Sequence, residues 1–324
     1  MKKLILVSSA VAMLFSACQK NALTDNTDTQ SAITKRSCGS MEVLAEQMKA
    51  DPTLEARLNA YEAAVQDNIK KMEAGTSNFR LVNGVIEIPV VVNVLYRTAA
   101  ENVSQAQIQS QIDVLNEDYN ATNADFSLVP ATFSGVKANV GIRFVLDQVI
   151  RKSTTKTSWK TDDAMKKSTK GGINPTSPTT KLNLWVCTLS GGILGYAQFP
   201  GGASATDGVV ILNTGFGRTG TAAAPYNKGR TATHEVGHWL NLRHIWGDAT
   251  CGSDLVNDTP LHNTANYGCP AAGHKSTCTG TPIEMTMNYM DYTDDACMYM
   301  FSAGQKARIL ATFATGGPRA TFAQ

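Results

Sequence analysis

Three histidines and one glutamate carry the clearest chemistry in this chain. His234-Glu235-Val236-Gly237-His238 sets two imidazoles four residues apart, and His244 follows six residues later. On a helix, residues i and i+4 share one face about a turn apart, so both rings can reach one metal ion while Glu235 stands at its open side. His244 could not join them along a continuous helix, which would turn its ring away. The chain must therefore reverse near Asn241, and Asn is the non-glycine residue that best tolerates the left-handed conformation needed. Of five histidines in 324 residues, three fall in this short stretch, which favours a built metal site over a chance motif. Three protein ligands with one open position describe a catalytic zinc centre. The chemistry such a centre would do is metal-assisted hydrolysis, with Glu235 as the base that takes a proton from water and returns it to the leaving group.

The elements that must hold these groups follow from patterning. Val85 to Tyr96 is a β-branched run that predicts a strand, and further strands are expected at Val140 to Val149, Lys181 to Cys187 and Gly208 to Asn213. Ser104 to Tyr119 has helical spacing with Ser104 as its cap, a helix over about Ala232 to Asn241 carries the histidines, and Ser302 to Phe313 forms a last helix. Met41 to Met72 reads as a small helical segment with Asp51-Pro52 as a helix start. This order implies a mixed sheet with helices, an α+β arrangement with an α/β-like upper part. Residues 246 to 300, rich in Gly, Asp, Asn, Thr and Cys, are expected to be irregular.

Compartment is written at the N-terminus. Met1-Lys2-Lys3 precedes a mostly apolar run from Leu4 to Ala17, shorter than the roughly 20 residues that cross a bilayer, so residues 1–17 read as an export signal. Leu14-Phe15-Ser16-Ala17-Cys18 resembles a bacterial lipoprotein signal, and a lipid anchor at Cys18 is expected; ordinary signal cleavage near Ala17 is the alternative. In an oxidising compartment, Cys251, Cys269, Cys278 and Cys297 are expected to form two disulfides, for which three pairings exist. With 29 basic against 27 acidic residues, the charge of +2 excludes an electrostatic nucleic-acid binder. The hydrophobic content of 43% excludes a disordered chain.

The pattern HExxHxxNxxH resembles that of the metzincin metalloproteases, HExxHxxGxxH, with Asn241 in place of the glycine. Asn288-Tyr289-Met290-Asp291-Tyr292, the stretch Ile88 to Val92 and the run from Gln107 to Asn120 resemble the pappalysin family, over about residues 80 to 315. This resemblance implies a metzincin fold with a mixed twisted sheet, an active-site helix and an irregular C-terminal subdomain stabilised by disulfides and calcium. It implies Met290 as the methionine of the turn beneath zinc and Tyr292 as a stabiliser of the oxyanion. It pairs Cys251 with Cys278 and Cys269 with Cys297, and suggests Asp254, Asp258 and Thr259 as calcium ligands. The family preference for a basic residue just after the scissile bond points to Asp294 or Asp295, and Asp295 is favoured as the pocket acid.

Arg36-Ser37-Cys38-Gly39 resembles the cysteine-switch motif, in which a thiolate takes the water's place on zinc. A Cys38 to Cys187 disulfide is the competing reading. If cleavage precedes basic residues, Phe79-Arg80 is a natural self-activation point. The expected organisation is a signal over 1–17, a tether and helical propeptide over 18–79, and a catalytic domain over 80–324. The expected protein is a monomer acting on protein or peptide substrates, secreted or held as a surface lipoprotein until activation. An inert surface lipoprotein that uses the same fold as a binding module is the rival, although a binder has no need of Glu235, Tyr292 and all three histidines.

Overall fold

In chain order the helices and strands are α1 (Ser40–Ala50), α2 (Leu54–Glu73), β1 (Ile86–Tyr96), α3 (Gln105–Tyr119), β2 (Lys137–Ala138), β3 (Ile142–Ser153), β4 (Leu182–Cys187), β5 (Gly195–Ala197), β6 (Val209–Leu212), α4 (Arg230–Trp239), β7 (Phe301–Ser302) and α5 (Ala303–Phe313). The computed structural model describes Ile33, residues 35–76 and residues 85–322. The signal and tether, Cys18 and the Phe79-Arg80 bond lie outside the described residues.

Five strands form one sheet in the order β3-β1-β4-β6-β5. β1 pairs in parallel with β3 and β4, β4 in parallel with β6, and the edge strand β5 runs antiparallel to β6. Every residue of β4 and β6 is buried, which is why these strands read as continuous apolar runs instead of alternating ones. Alternation still sorts the side chains between two cores. Val90, Val92, Val94, Leu184, Val186 and Ile211 pack with α3 and α4 on one face. Leu95, Trp185, Cys187, Val210 and Leu212 pack against Trp159, Met165 and Ile173 on the other. Each of these aliphatic side chains contributes about 1.5–3 kcal/mol relative to an exposed one.

α3 begins where its cap predicts, with the Ser104 hydroxyl accepting from Gln107 N–H at 3.1 Å. α5 begins with a capping box between Ser302 and Gln305. The helical segment expected between Met41 and Met72 is two helices. Asp51 breaks it by accepting from Thr53 N–H at 3.0 Å and Thr53 Oγ1 at 2.6 Å, and Pro52 brings no N–H to continue α1. β3 runs four residues past its expected end. Strands β2, β5 and β7 carry too few residues for any period to show in sequence.

Between α4 and α5 the chain is irregular, as expected, and two disulfides hold it: Cys251 with Cys278 and Cys269 with Cys297. Helix α2 lies along α5. Glu62 accepts from both Arg308 terminal nitrogens at 2.8 Å, and Asn68 Nδ2 donates to Ala311 O at 3.1 Å.

Candidate active site

All ten residues of α4 are buried, so the helix presents chemistry on one side and packing on every other. It stops where the histidine spacing requires. Asn241 adopts φ 69°, Leu242 N–H donates to Gly237 O at 2.9 Å, and Asn241 N–H donates to His238 O at 2.9 Å. These two bonds make a Schellman end, with Asn in the position glycine usually takes. Arg308 Nη2 donates to the Asn241 carbonyl at 3.2 Å and steadies the turn.

The reversal brings His244 back to the other two rings. His238 Nε2 lies 3.2 Å from His234 Nε2 and 3.1 Å from His244 Nε2. Nitrogens bound tetrahedrally to one zinc at about 2.0–2.1 Å stand at about this separation. Each ring's other nitrogen faces an acceptor: His234 Nδ1 the Tyr289 carbonyl at 2.7 Å, His238 Nδ1 the Leu242 carbonyl at 2.8 Å, and His244 Nδ1 Asp248 Oδ1 at 2.5 Å. Donation from Nδ1 leaves a bare lone pair on every Nε2. Three converging lone pairs repel unless a cation lies between them, and burial together with the neighbouring rings holds His234 well below the usual imidazole range. Burial and His244 do the same to His238. The donor set fits zinc.

Glycines allow the close packing around this centre. A Cβ on Gly237 would sit 2.5 Å from Met290 Sδ, so the glycine inside the motif admits the methionine beneath the histidines. A Cβ on Gly195 would sit 2.9 Å from Glu235 Cγ, so β5 approaches the glutamate only as glycine. Burial pushes Glu235 up to about 7, against the lowering effect of hydrogen bonds from Cys38 and Ser40 and the charge of Arg36.

Cys38 completes the cluster: its Sγ and the three histidine nitrogens all lie within 4.8 Å of one another. The thiol donates to Glu235 Oε2 at 3.2 Å, and burial first, then Glu235, pushes its pKa up. Cys187 lies in the core on the other face of the sheet and is free, so the alternative Cys38 to Cys187 disulfide does not form. Tyr292 Oη accepts from Cys38 N–H at 3.1 Å, and its ring lies 4.9 Å from that of His244.

Asp295 is fully buried. It accepts from Arg36 Nη2 at 2.5 Å and from Lys228 N–H at 2.8 Å. The Arg36 guanidinium also donates to Thr293 O at 3.1 Å and Thr231 Oγ1 at 3.3 Å, and lies over the Tyr226 ring. Asp294, the other candidate, is half-buried.

Of the expected calcium ligands, Asp254 and Thr259 come together, with Thr259 Oγ1 at 2.9 Å and 3.0 Å from the two Asp254 oxygens. Asp258, the third, reaches the start of α5. Its oxygens accept from Ser302 Oγ at 2.6 Å and Gly304 N–H at 2.8 Å.

Sequence reasoning missed several participants. Ser40 Oγ donates to Glu235 Oε2 at 3.0 Å and accepts from Ala197 N–H at 2.8 Å. Asp248 orients His244, a role its four-residue spacing from that histidine could have suggested. Nothing local marks Ser40, Thr231 or Tyr226.

A helix bearing two ligands, a left-handed turn to the third and a methionine packed beneath define a metzincin-type metalloprotease. Comparison with known proteins agrees. The family profile described as pregnancy-associated plasma protein-A matches residues 180–314. An extracellular metalloprotease of Pyricularia oryzae is 37% identical over 67% of this chain and 70% of its own. Mature mirolysin of Tannerella forsythia, solved with a cleaved peptide, is 45% identical and superposes with a TM-score of 0.72 over 74% of this chain and 96% of that one. A mutant promirolysin of the same organism is 41% identical, with a TM-score of 0.79 over 89% of this chain and 97% of that one. The chain belongs to the pappalysin family of metalloproteases and is an enzyme that hydrolyses peptide bonds.

Proposed function

We propose that this protein is an exported zinc endopeptidase that cuts just before Arg or Lys and is made as a latent precursor closed by Cys38. The observation that carries the reading is one short segment. Arg36 occupies a sealed pocket on Asp295 at 2.5 Å, while Cys38, two residues on, meets Glu235 and the three histidines. An arginine held by a buried carboxylate beside the metal centre is the arrangement expected of a substrate residue next to the scissile bond. The domain boundaries that fit are a propeptide over 18–79 and a catalytic domain over 80–324, with Phe79-Arg80 as the activating cut.

Zinc, when bound by His234, His238 and His244, supplies Lewis acidity toward a peptide carbonyl and a water. Glu235 accepts the water's proton as its oxygen attacks the carbonyl carbon, then passes that proton to the departing amine as the C–N bond breaks. The Tyr292 hydroxyl donates to the oxygen on which negative charge develops. In the precursor, the Cys38 sulfur would hold the ion together with the three histidines and so exclude water from it, and the Tyr292 hydroxyl accepts from Cys38 N–H.

Calcium is the further ion of this reading. Asp254, the Val256 carbonyl and Thr259 supply a cluster of hard oxygens gathered within 3.0 Å of Thr259 Oγ1. Export is supported by relatives named as extracellular metalloproteases, and Cys18 is the residue for a lipid anchor on the precursor.

Digestion of a denatured protein by the zinc-loaded chain, beside Glu235→Ala, tests the reading when every fragment and the enzyme's own N-terminus are sequenced by mass spectrometry. Cleavage before Arg or Lys that vanishes in the variant, with self-cleavage at Phe79-Arg80, is expected. Fragments beginning at unrelated residues would refute the pocket assignment. An uncut substrate after removal of the propeptide would leave the inert binding module.

A further inference from the structure

Beyond the Asp295 pocket, a second cation lies on an aromatic face. Lys35 Nζ sits 3.9 Å from the centroid of the Tyr267 ring. Arg36 is buried and Lys35 is exposed, so adjacent side chains diverge as they do in an extended chain. Moving away from the metal centre the segment presents Cys38, then Arg36 in the Asp295 pocket, then Lys35 on Tyr267. We infer that Tyr267 is a specificity-determining residue, the wall of a subsite that favours a cationic side chain at the second position after the scissile bond. The inference rests on the reading that the Asp295 pocket receives the first.

The platform is prepared for this. Tyr267 remains 40% exposed even beneath Lys35, so its ring face is open to a cation arriving from solvent. Its backbone is pinned on both sides. Asn266 N–H donates to Asp291 Oδ1 at 2.8 Å, Asp294 N–H donates to Gly268 O at 2.9 Å, and the Cys269–Cys297 disulfide follows directly. The ring stands 6.0 Å from Tyr292, so it continues the cleft outward from the reacting atoms. The segment that seats Arg36 on Asp295 carries Lys35 over Tyr267 as it continues away from the metal centre. A cation over an exposed tyrosine face then gains selectivity of about 2- to 5-fold.

Two peptides test this, each with Arg just after the scissile bond and differing only at the next residue, Lys against norleucine. The self-activated enzyme is compared with Tyr267→Phe and Tyr267→Leu. We expect kcat/KM to favour Lys by about 2- to 5-fold in the wild type and in Tyr267→Phe, which keeps the ring, and to favour neither in Tyr267→Leu. The norleucine peptide should turn over at the same rate in all three, which confirms folding. A wild-type ratio near one overturns the inference whatever the variants do, as does a preference that survives Tyr267→Leu. Cleavage of these peptides at bonds not followed by Arg overturns the Asp295 reading and this one together; cleavage before Arg with no effect of the second residue overturns this one alone.

Discussion

Arg36 and Asp295, 259 positions apart in sequence, form an ion pair at 2.5 Å with both side chains sealed from solvent. One belongs to the segment that carries Cys38 and the other to the turn that follows Tyr292. Removing one partner of such a pair leaves the other charge buried, at about 3–5 kcal/mol. Arg36→Ala should therefore loosen the segment that holds Cys38 in place. Faster self-cleavage of the freshly purified precursor, followed by gel and mass spectrometry, is expected; a time course equal to that of the wild type would show that the pair does not hold latency.

Tyr292 places its hydroxyl at the Cys38 backbone in the precursor, beside the open side of the histidine cluster. On the proposed function, departure of the segment frees that hydroxyl to donate to a developing oxyanion. Tyr292→Phe keeps the ring packing on His244 and Trp246 and removes only the donor. A fall in kcat of about 10²- to 10³-fold with KM little changed is expected. Steady-state kinetics on one peptide decides it, and equal losses in binding and turnover would point to a packing role.

Glu62 and Arg308 join α2 to α5. Burial raises the Glu62 carboxyl, but the Arg308 hydrogen bonds and charge outweigh it and bring the pKa down to about 2 from an ordinary 4.5. A carboxylate depressed in the folded state stabilises it above its unfolded pKa and loses that contribution as pH falls through the folded one. Docking of α2 should therefore be firm above about pH 4.5 and weaken toward pH 2. Glu62→Gln should lower stability by about 1–2 kcal/mol near neutrality, allowing for partial exposure. Denaturant midpoints of both precursors across this range check it: the gap between them should close with acid, and a constant gap would mean that the pair adds nothing through its charge.

Asn241 holds φ 69° at the turn that returns His244. Asn241→Gly should leave zinc content and activity intact. Asn241→Val forces a β-branched residue into the left-handed region, at about 1–2 kcal/mol or more, and should displace the third ligand. Melting temperature would drop by about 2–4 °C per kcal/mol. Bound zinc per chain, measured by elemental analysis, should fall with it; full metal loading in the valine variant would show that the turn is not what positions His244.

Local covalent spacing determined much of this protein before any fold was known. Residues four apart on a helix must share a face, so His234 and His238 were legible as partners. A third histidine six residues on requires a left-handed turn, and Asn241 could be singled out for it. Ser104 and Ser302 were readable as helix starts because a cap acts within three residues of itself. Only the tertiary structure decided the rest. The sheet separates Cys38 from Cys187 by putting them in different cores, and burial separates Asp295 from Asp294 although the two are neighbours in sequence. Asp258 meets the start of α5 because the Ser302 and Gly304 donors lie within its reach. Ser40, Thr231 and Tyr226 carry no local signal at all. Their roles come from contacts across more than 150 residues, and those distances are set by strand order and helix docking, not by neighbours along the chain.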